Sequence, residues 1–184
     1  MKYIFLAFTT LLIIFSCKNK NEKQDSVFPV LSFIKSQVAH VDTSLYQIMK
    51  IEIRDSLSDT TYIKREEFRP LAADFLALPD LTDDKYAAQY EVSKFFDQTL
   101  NRIVISYTPR NKDLAIQREE VNITPDESGN DKVKTIFIDW LSTAGDSTVH
   151  KKLLWEVDQG FQVTTLVDKT GQPEKITTRK VNWQ

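Results

Sequence analysis

Cys17 is the only cysteine of the chain, and it directly follows an apolar segment. Lys2 supplies one positive charge, and residues 3–16 carry none. An apolar run of this length is too short to cross a bilayer core of about 30 Å, which needs about 20 residues, but it fits the apolar region of a secretory signal. An unpaired thiol is a liability in an oxidising compartment, so we expect Cys17 to be used in another reaction.

Ile14-Phe15-Ser16-Cys17 resembles the lipobox of bacterial lipoproteins, such as the outer-membrane lipoproteins of Bacteroidetes. The resemblance implies that residues 1–16 are a signal peptide, that the Cys17 thiol receives diacylglycerol, and that the new amino terminus is acylated. The alternative is a free thiol at the end of an ordinary signal or of a single-span anchor. The segment has no small-x-small cleavage site, and Lys18 ends the apolar run, so the lipoprotein interpretation is favoured.

The segment that follows, Lys18–Ser26, is polar and mixed in charge, which predicts a flexible tether after the lipidated cysteine. At about 3.3 Å per residue it would hold a domain up to roughly 30 Å from the lipid surface. Cys17 is not followed by the Asp that retains many lipoproteins in the inner membrane. The resemblance therefore implies a location at the outer membrane, facing the periplasm.

Three motifs resemble, in order, the S-x-x-K, S-x-N and K-T-G elements of serine β-lactamases and penicillin-binding proteins. They are Ser32-Phe33-Ile34-Lys35, Ser128-Gly129-Asn130 and Lys169-Thr170-Gly171. In that family the lysine helps to activate the serine as a nucleophile. The second and third motifs here are typical of turns, and the chain is shorter than that family's two-part domain. We therefore predict no catalytic residue and a protein that is not an enzyme.

No metal or cofactor site is predicted either. His40 and His150 have no second His or Cys at ligand spacing, so we expect solvated or hydrogen-bonded side chains. Asp126–Asp131 lacks the distal glutamate of a calcium loop and is interpreted as a turn. A further cluster, Asp80, Asp83 and Asp84, is interpreted as capping residues.

Apolar residues recur every three or four positions from Val27 to Val41, which predicts one amphipathic helix that begins near Pro29. Its apolar face could lie on a membrane, but the other face has no basic cluster, so packing on a sheet is favoured. A second, short helix is predicted over Leu71–Leu78.

From Leu45 onward the apolar period changes to two, which predicts strands with one wet face. A phase shift between Ile116 and Val121 indicates a bulge. Tight turns at residues 144–146, 158–160 and 169–171 predict an antiparallel meander. The predicted strands cover residues 49–54, 61–69, 86–94, 103–108, 114–124, 133–143, 148–158, 161–168 and 175–183.

The expected fold is α+β: an N-terminal amphipathic helix packed on a strongly curved, mainly antiparallel sheet of about nine strands, a half-barrel-like meander. The predicted domains are the signal peptide 1–16, the lipidated Cys17 with its tether 17–26, and one α+β domain 27–184. In outline this is similar to the half-barrels of lipoprotein carriers and outer-membrane lipoprotein receptors. Trp155 is expected in the core, and one of the adjacent Phe95 and Phe96 on the surface.

Composition narrows the function classes. The formal net charge is −2 with both signs interspersed, so no basic surface to attract nucleic acid is expected.

The leading hypothesis is a non-enzymatic domain that touches the membrane through the lipid on Cys17 and binds a protein partner or has a structural role in the cell envelope. The alternative is a carrier or sensor of an apolar ligand in a β cavity, although a helix that fills the concavity is preferred. A serine hydrolase is the least favoured class.

Lipidation of Cys17 is directly testable. Expressed with its own signal, the wild-type chain should gain the mass of diacylglycerol and an acyl chain and enter the detergent phase, whereas Cys17→Ser should do neither. Mass spectrometry and phase partitioning measure both. Equal behaviour of the two proteins would contradict the lipid anchor.

Overall fold

A computed structural model describes residues 27–184. The predicted signal peptide, Cys17 and the tether lie outside the described residues. The helices are α1 (Val30–Thr43), a 3-10 turn (Arg65–Glu67), α2 (Phe68–Leu71), α3 (Ala73–Leu76) and α4 (Asp84–Ala87). The strands are β1 (Ile48–Arg54), β2 (Leu57–Ile63), β3 (Tyr90–Asp97), β4 (Arg102–Pro109), β5 (Ile116–Thr124), β6 (Lys132–Ala144), β7 (Ser147–Glu156), β8 (Gly160–Lys169) and β9 (Lys175–Trp183).

Within the described chain the nine strands form one antiparallel sheet in the order β2-β1-β9-β8-β7-β6-β5-β4-β3. Strands β3 to β9 are neighbours both in sequence and in space, because short connections join antiparallel partners. The β1–β2 hairpin is then added on β9, so the first strand pairs with the last. β2 and β3 each keep one unpaired edge, and the sheet is not closed. The prediction of about nine mainly antiparallel strands is confirmed.

The turns of the sheet place left-handed backbone at residues that tolerate it. Asp55 and Ser56 have φ values of 48° and 69°, the two positive values that a two-residue hairpin turn requires. Gly145 and Gly171 have φ values of 61° and 78° in the turns after β6 and β8, and Asp158 has 60° in the turn after β7. The three predicted turns of the meander are confirmed.

Some predicted bounds are wrong. The second strand starts at Leu57 instead of Thr61, because the hairpin turn before it takes only two residues. It ends at Ile63, and the backbone N–H of Lys64 then donates to Glu67 Oε2 at 2.8 Å and turns the chain into a helical segment.

Two further bounds, those of the predicted short helix and the start of β3, differ because the chain forms short helical turns that the sequence pattern did not predict. The helix expected over residues 71–78 is divided at Ala72 into α2 and α3. β3 begins at Tyr90 instead of Tyr86, because α4 precedes it. The predicted bulge is confirmed by a register shift between Ile116 and Arg118.

The two faces of the sheet differ in what covers them. The face that carries Trp155, Phe161 and Val181, here called the inner face, packs against the helices. Phe75 of α3 lies edge-on to Trp155 with ring centroids 5.1 Å apart, and Phe68 of α2 lies edge-on to Trp183 at 5.3 Å. Each such ring contributes about 1.5–3 kcal/mol by leaving water, with up to about 1.5 kcal/mol more from ring geometry. The prediction of a core Trp155 is confirmed.

Helix α1 shares this core. It follows Pro29, and its buried residues are Val30, Ile34, Val38 and Val41, spaced by three and four. These side chains belong to the same hydrophobic cluster as the inner face of the sheet. The backbone of Phe28, just before α1, is held by the Tyr107 hydroxyl, which accepts from Phe28 N at 2.6 Å and donates to Phe28 O at 3.2 Å.

Gly160 provides a test of how closely β8 and β9 approach. A Cβ at this position would lie 2.5 Å from Asn182 Oδ1 and 2.6 Å from the backbone oxygen of Val181. Gly160→Ala should therefore lower the free energy of unfolding by about 1–3 kcal/mol, because the backbone of β9 must move. Gln159→Ala, one residue earlier and exposed, should stay within about 0.5 kcal/mol of wild type. Urea unfolding measures both, and equal stability of the two variants would contradict the close approach.

Candidate functional site

A groove lies where β1 begins and β9 ends. We call it the β1 groove; its volume is about 570 Å³, and it is lined by residues 45–47, Met49, Tyr62, Glu156, Asp158, Gln159 and residues 182–184. Met49 lies between Tyr62 and Asn182 in one cross-strand row, and Gly160 is next to Asn182 in the same row. This row belongs to the outer face, which alternates with the core-facing positions.

One wall of the β1 groove is apolar and exposed. Leu45 has 95% of its surface exposed and Tyr62 71%, with Tyr46 beside them. Single exposed apolar residues are common on proteins, but a group of them around a depression is typical of an interaction site. Tyr62 belongs to β2, the strand at the open edge of the sheet, so an unpaired row of backbone N–H and C=O groups runs alongside the aromatic side chain.

The opposite wall is acidic. Glu156 and Asp158 line it, and the residues that line the β1 groove include no Lys, Arg or His. A carboxylate pair without a neighbouring cation attracts positive charge, so the groove suits a segment that carries basic and apolar side chains together.

The backbone around the β1 groove is tied together by hydrogen bonds between distant parts of the chain. Gln47 N donates to Gln184 O at 3.0 Å, and Gln184 N donates to Gln47 O at 3.3 Å. Trp183 N donates to Gln159 O at 3.0 Å, and Asp158 N donates to Gln37 Oε1 of α1 at 3.2 Å. The groove is therefore a preformed feature, and a ligand would not have to order it.

The other open edge carries a second apolar group. Phe95 and Phe96 on β3 are 53% and 50% exposed, and Leu100 follows in the turn to β4. The sequence predicted one of the two phenylalanines on the surface, and the structure exposes both. β3 is an edge strand, so neither of its faces is covered as an internal strand would be.

A buried carboxyl group was missed by the sequence analysis. Glu119 on β5 is only 2% exposed and lies between Tyr107 on β4 and Ile138 on β6. Burial, with a smaller contribution from Asp80, raises the pKa of Glu119 to about 8. The signal was available: the bulge after Ile116 shifts the side-chain phase and turns Glu119 inward.

The two tyrosines beside Glu119 respond to the same environment. Burial raises the pKa of Tyr90 to about 12, and the carboxyl of Glu119 adds to this shift. Burial also raises the pKa of Tyr107 to about 12, against the opposing effect of its hydrogen bond to the Phe28 backbone. At neutral pH both are neutral groups, and Tyr107 holds the backbone of Phe28 on the sheet.

The three motifs that resemble a serine hydrolase are not brought together. Ser32 and Lys35 lie on the exposed side of α1. Ser128 lies in the turn between β5 and β6, and Lys169 ends β8 at the opposite end of the sheet. Strands β6 to β8 are 10–13 residues long, so about 30 Å or more separates these two ends.

Three other polar residues singled out from the sequence have local partners. Asp126 Oδ1 accepts from the backbone N and hydroxyl of Ser128 at 2.9 and 2.8 Å, which lowers the pKa of Asp126 and confirms a turn. Asp80 Oδ1 accepts from Thr82 N at 3.0 Å. His150 Nε2 is hydrogen-bonded to the carboxylate of Asp139.

His40 is exposed on α1, with Tyr46 Oη 3.5 Å from its Nε2. Over residues 27–184, no group of three or more His, Cys, Asp or Glu side chains is placed to hold a metal ion.

Comparison with known proteins gives no relative. No protein-family model matches the chain, and no curated protein or solved structure is significantly similar to it. A search of the described helices found none with the length and hydropathy needed to cross a bilayer. The site must therefore be interpreted from its own geometry.

The raised pKa of Glu119 predicts a pH dependence of stability. The folded chain keeps this proton up to about pH 8, whereas the unfolded chain releases it near its usual value of 4.5. Between these limits the folded state binds more protons, so stability falls as pH rises, by up to about 1.4 kcal/mol per pH unit, and levels off above pH 8.

Glu119→Gln should remove this dependence and be more stable than wild type at pH 8–9, while differing little from it near pH 5. Urea unfolding at pH 5, 7 and 9 measures the effect. Glu91→Gln, on the exposed side of β3, is the control and should keep the wild-type slope. The same slope in Glu119→Gln and wild type would show that the carboxyl is not buried in its acid form.

Proposed function

We propose that this protein is a lipid-anchored, non-enzymatic module of the cell envelope that binds an extended segment of a protein partner in the β1 groove. The observation that carries the proposal is the exposure of Leu45 and Tyr62 beside the open edge of β2. The lipid on Cys17 would hold the domain at the outer membrane, on the periplasmic side.

The edge of β2 supports binding by strand addition. An extended segment can pair with the free backbone groups of an edge strand, and alternate side chains of that segment then enter neighbouring depressions. On β2 the residue that faces the β1 groove is Tyr62, which pairs with Met49 on β1. Backbone pairing would provide affinity, and the aromatic wall would select apolar side chains.

The acidic wall of the β1 groove predicts a second property of the partner, a positive charge. Glu156 and Asp158 lie across the β1 groove from Tyr62, and Glu156 is four strand spacings, or about 19 Å, from it. A basic residue several positions beyond the residues that pair with β2 would therefore be complementary to this wall. The chain as a whole has a formal net charge of −2, which adds a weak attraction for a basic partner.

The β1 groove lies at the other end of α1 from the point where the described chain begins. The described chain begins beside Tyr107 on β4, and α1 then leads to Leu45 at the groove. With 14 residues, α1 is about 21 Å long. A partner could thus occupy the β1 groove without displacing Phe28 from Tyr107.

Transport of an apolar ligand is the alternative. It would need an apolar cavity, and the stacked Trp155 and Phe161 rings, 5.3 Å apart, instead pack with Phe75 of α3 into the space beneath the helices. The β1 groove lies outside this core and has an acidic wall, which favours a peptide over a lipid chain.

Photo-crosslinking in the native cells tests the proposal. Tyr62→p-benzoylphenylalanine should give one discrete adduct with an envelope protein. Phe95→p-benzoylphenylalanine, a comparably exposed aromatic position on the other edge strand, should not give that adduct.

Two further changes test the walls of the β1 groove. Leu45→Asp should reduce the adduct at least tenfold by removing apolar contact, and Glu156→Lys should do so by repelling a basic segment. Folding is checked by circular dichroism. An equal adduct from position 95, or an adduct that survives both changes, would refute binding in the β1 groove.

A further inference from the structure

A second opening adjoins the β1 groove at the point where β2 ends. We call it the Arg65 pocket; its volume is about 330 Å³, and it is lined by Tyr46, Gln47, Ile48, Tyr62, Ile63 and Arg65. Tyr46, Gln47 and Tyr62 line the β1 groove as well, so the two openings share a wall. A ligand that contacts Tyr62 in the β1 groove is therefore also beside the Arg65 pocket.

Arg65 gives this pocket a positive charge. It is the only charged residue of the lining, it is partly exposed, and it forms no ion pair within residues 27–184. Its neighbours in sequence, Glu66 and Glu67, are exposed and do not line the pocket, and Glu67 Oε2 accepts from the backbone N–H of Lys64 at 2.8 Å. The Arg65 pocket thus has the opposite charge to the acidic wall of the β1 groove.

The part of the guanidinium group that a ligand can reach is its outer end. Nε of Arg65 is buried without a partner, whereas the two terminal nitrogens are accessible from the pocket. These are the two nitrogens with which an arginine holds a carboxylate end-on. No carboxylate of the described chain takes this position.

The alternation of backbone hydrogen bonds along β1 shows which groups of β2 are free. Gln47 donates to Gln184 and accepts from it, so odd-numbered residues of β1 bond to β9 and even-numbered ones to β2. Ile48 and Ile63 are therefore a bonded pair. Tyr62, the residue before Ile63, turns its backbone N–H and C=O to the open edge.

The end of β2 brings the free backbone and the cation together. An added segment bonds to the backbone of Tyr62, and Arg65 follows three residues later in the 3-10 turn that ends the strand. At about 3.3 Å per residue, a residue about one or two positions from the one that pairs with Tyr62 enters the Arg65 pocket.

We propose that the Arg65 pocket binds a carboxylate of the extended segment, either an acidic side chain or the C-terminal carboxylate. This inference rests on the proposed function and adds an order of charges to it. A guanidinium group suits a carboxylate because its N–H donors form a planar fork that matches two oxygens. The partner then has a carboxylate next to the apolar residue at Tyr62.

The acidic wall specifies the other end of the partner. Glu156 is about 19 Å from Tyr62, which an extended chain covers in about six residues. A basic residue about six positions from the apolar one therefore meets this wall. A segment with the reversed order of charges is repelled at both ends, so the site selects one direction of the partner.

Selection of peptides on the purified full-length protein in non-ionic detergent tests the proposal. The probes are two random libraries of about twelve residues, one with a free C-terminus and one with the C-terminus joined to its carrier. An Asp or Glu next to an apolar residue in peptides from both libraries indicates a side-chain carboxylate. Selection from the first library alone indicates the C-terminal carboxylate.

The Kd of the best peptide, measured by fluorescence anisotropy, should rise about tenfold or more in Arg65→Gln. It should rise less in Arg65→Lys, which keeps the charge but loses the planar fork. Arg110→Gln is the matched control, since Arg110 is an exposed arginine without an ion pair in the described chain, and it should bind as wild type does. Circular dichroism checks that each variant is folded.

A charge reversal provides an independent test. Selection repeated on Arg65→Glu should replace the acidic residue of the peptides by Lys or Arg. The same peptides from wild type and Arg65→Glu would overturn the proposal.

Failure of the proposed function gives a different result from failure of this inference. Libraries that yield no peptide, or peptides whose binding survives Leu45→Asp, would contradict binding in the β1 groove and the carboxylate site with it. Peptides that are lost in Leu45→Asp but bind equally to wild type, Arg65→Gln and Arg110→Gln would overturn the carboxylate site alone.

Discussion

The pairing of β1 with β9 is the constraint on which the rest of the structure depends. It joins the first hairpin to the end of the meander, from Ile48 opposite Trp183 to Arg54 opposite Thr177. The outer face of this pairing contributes Met49 and Asn182 to the β1 groove. Its inner face contributes Arg54 and Arg179 to a second, smaller pocket. Both features therefore exist only when two segments from opposite parts of the chain are side by side.

The aromatic core on the inner face also stabilises the pairing of β1 with β9. Trp183 of β9 contacts Phe68 of α2 and Trp155 of β7, so the last strand is attached to both the helices and the meander. Ile48, its partner on β1, is buried in the same cluster. At the far side of the core Glu119 lies between Tyr107 and the strands of the meander, and its acid form is the one compatible with that burial.

Local patterns in the sequence predicted the parts of the fold that depend on neighbouring residues. Alternating apolar residues and turn-forming residues such as Gly145 and Gly171 were sufficient for the strands of the meander and for the core position of Trp155. They could not indicate that β1 pairs with β9, because alternation defines the two faces of a strand but does not determine which strands pair with it.

The candidate sites depended on that missing information. The β1 groove combines residues from both sides of the β1–β9 pairing, so no motif within one segment indicates it. The exposure of Phe95 and Phe96 together follows from β3 being an edge strand, which is again a property of strand order. Glu119 was hidden for a different reason, since one extra residue at the bulge reverses the direction of its side chain.

The late closure of a long loop is a consequence of this strand order. Residues 48–54 must find residues 177–183, whereas each strand of the meander finds a partner after a short turn or loop. Contacts between distant segments cost more chain entropy than local ones, because they close a longer loop, and they form later. We therefore expect the β1–β2 hairpin to dock last and to open first. Amide hydrogen exchange would then be faster at Ile51 than at Leu153. The β1 groove would form only in this docking step, and a ligand bound there would hold the hairpin on β9.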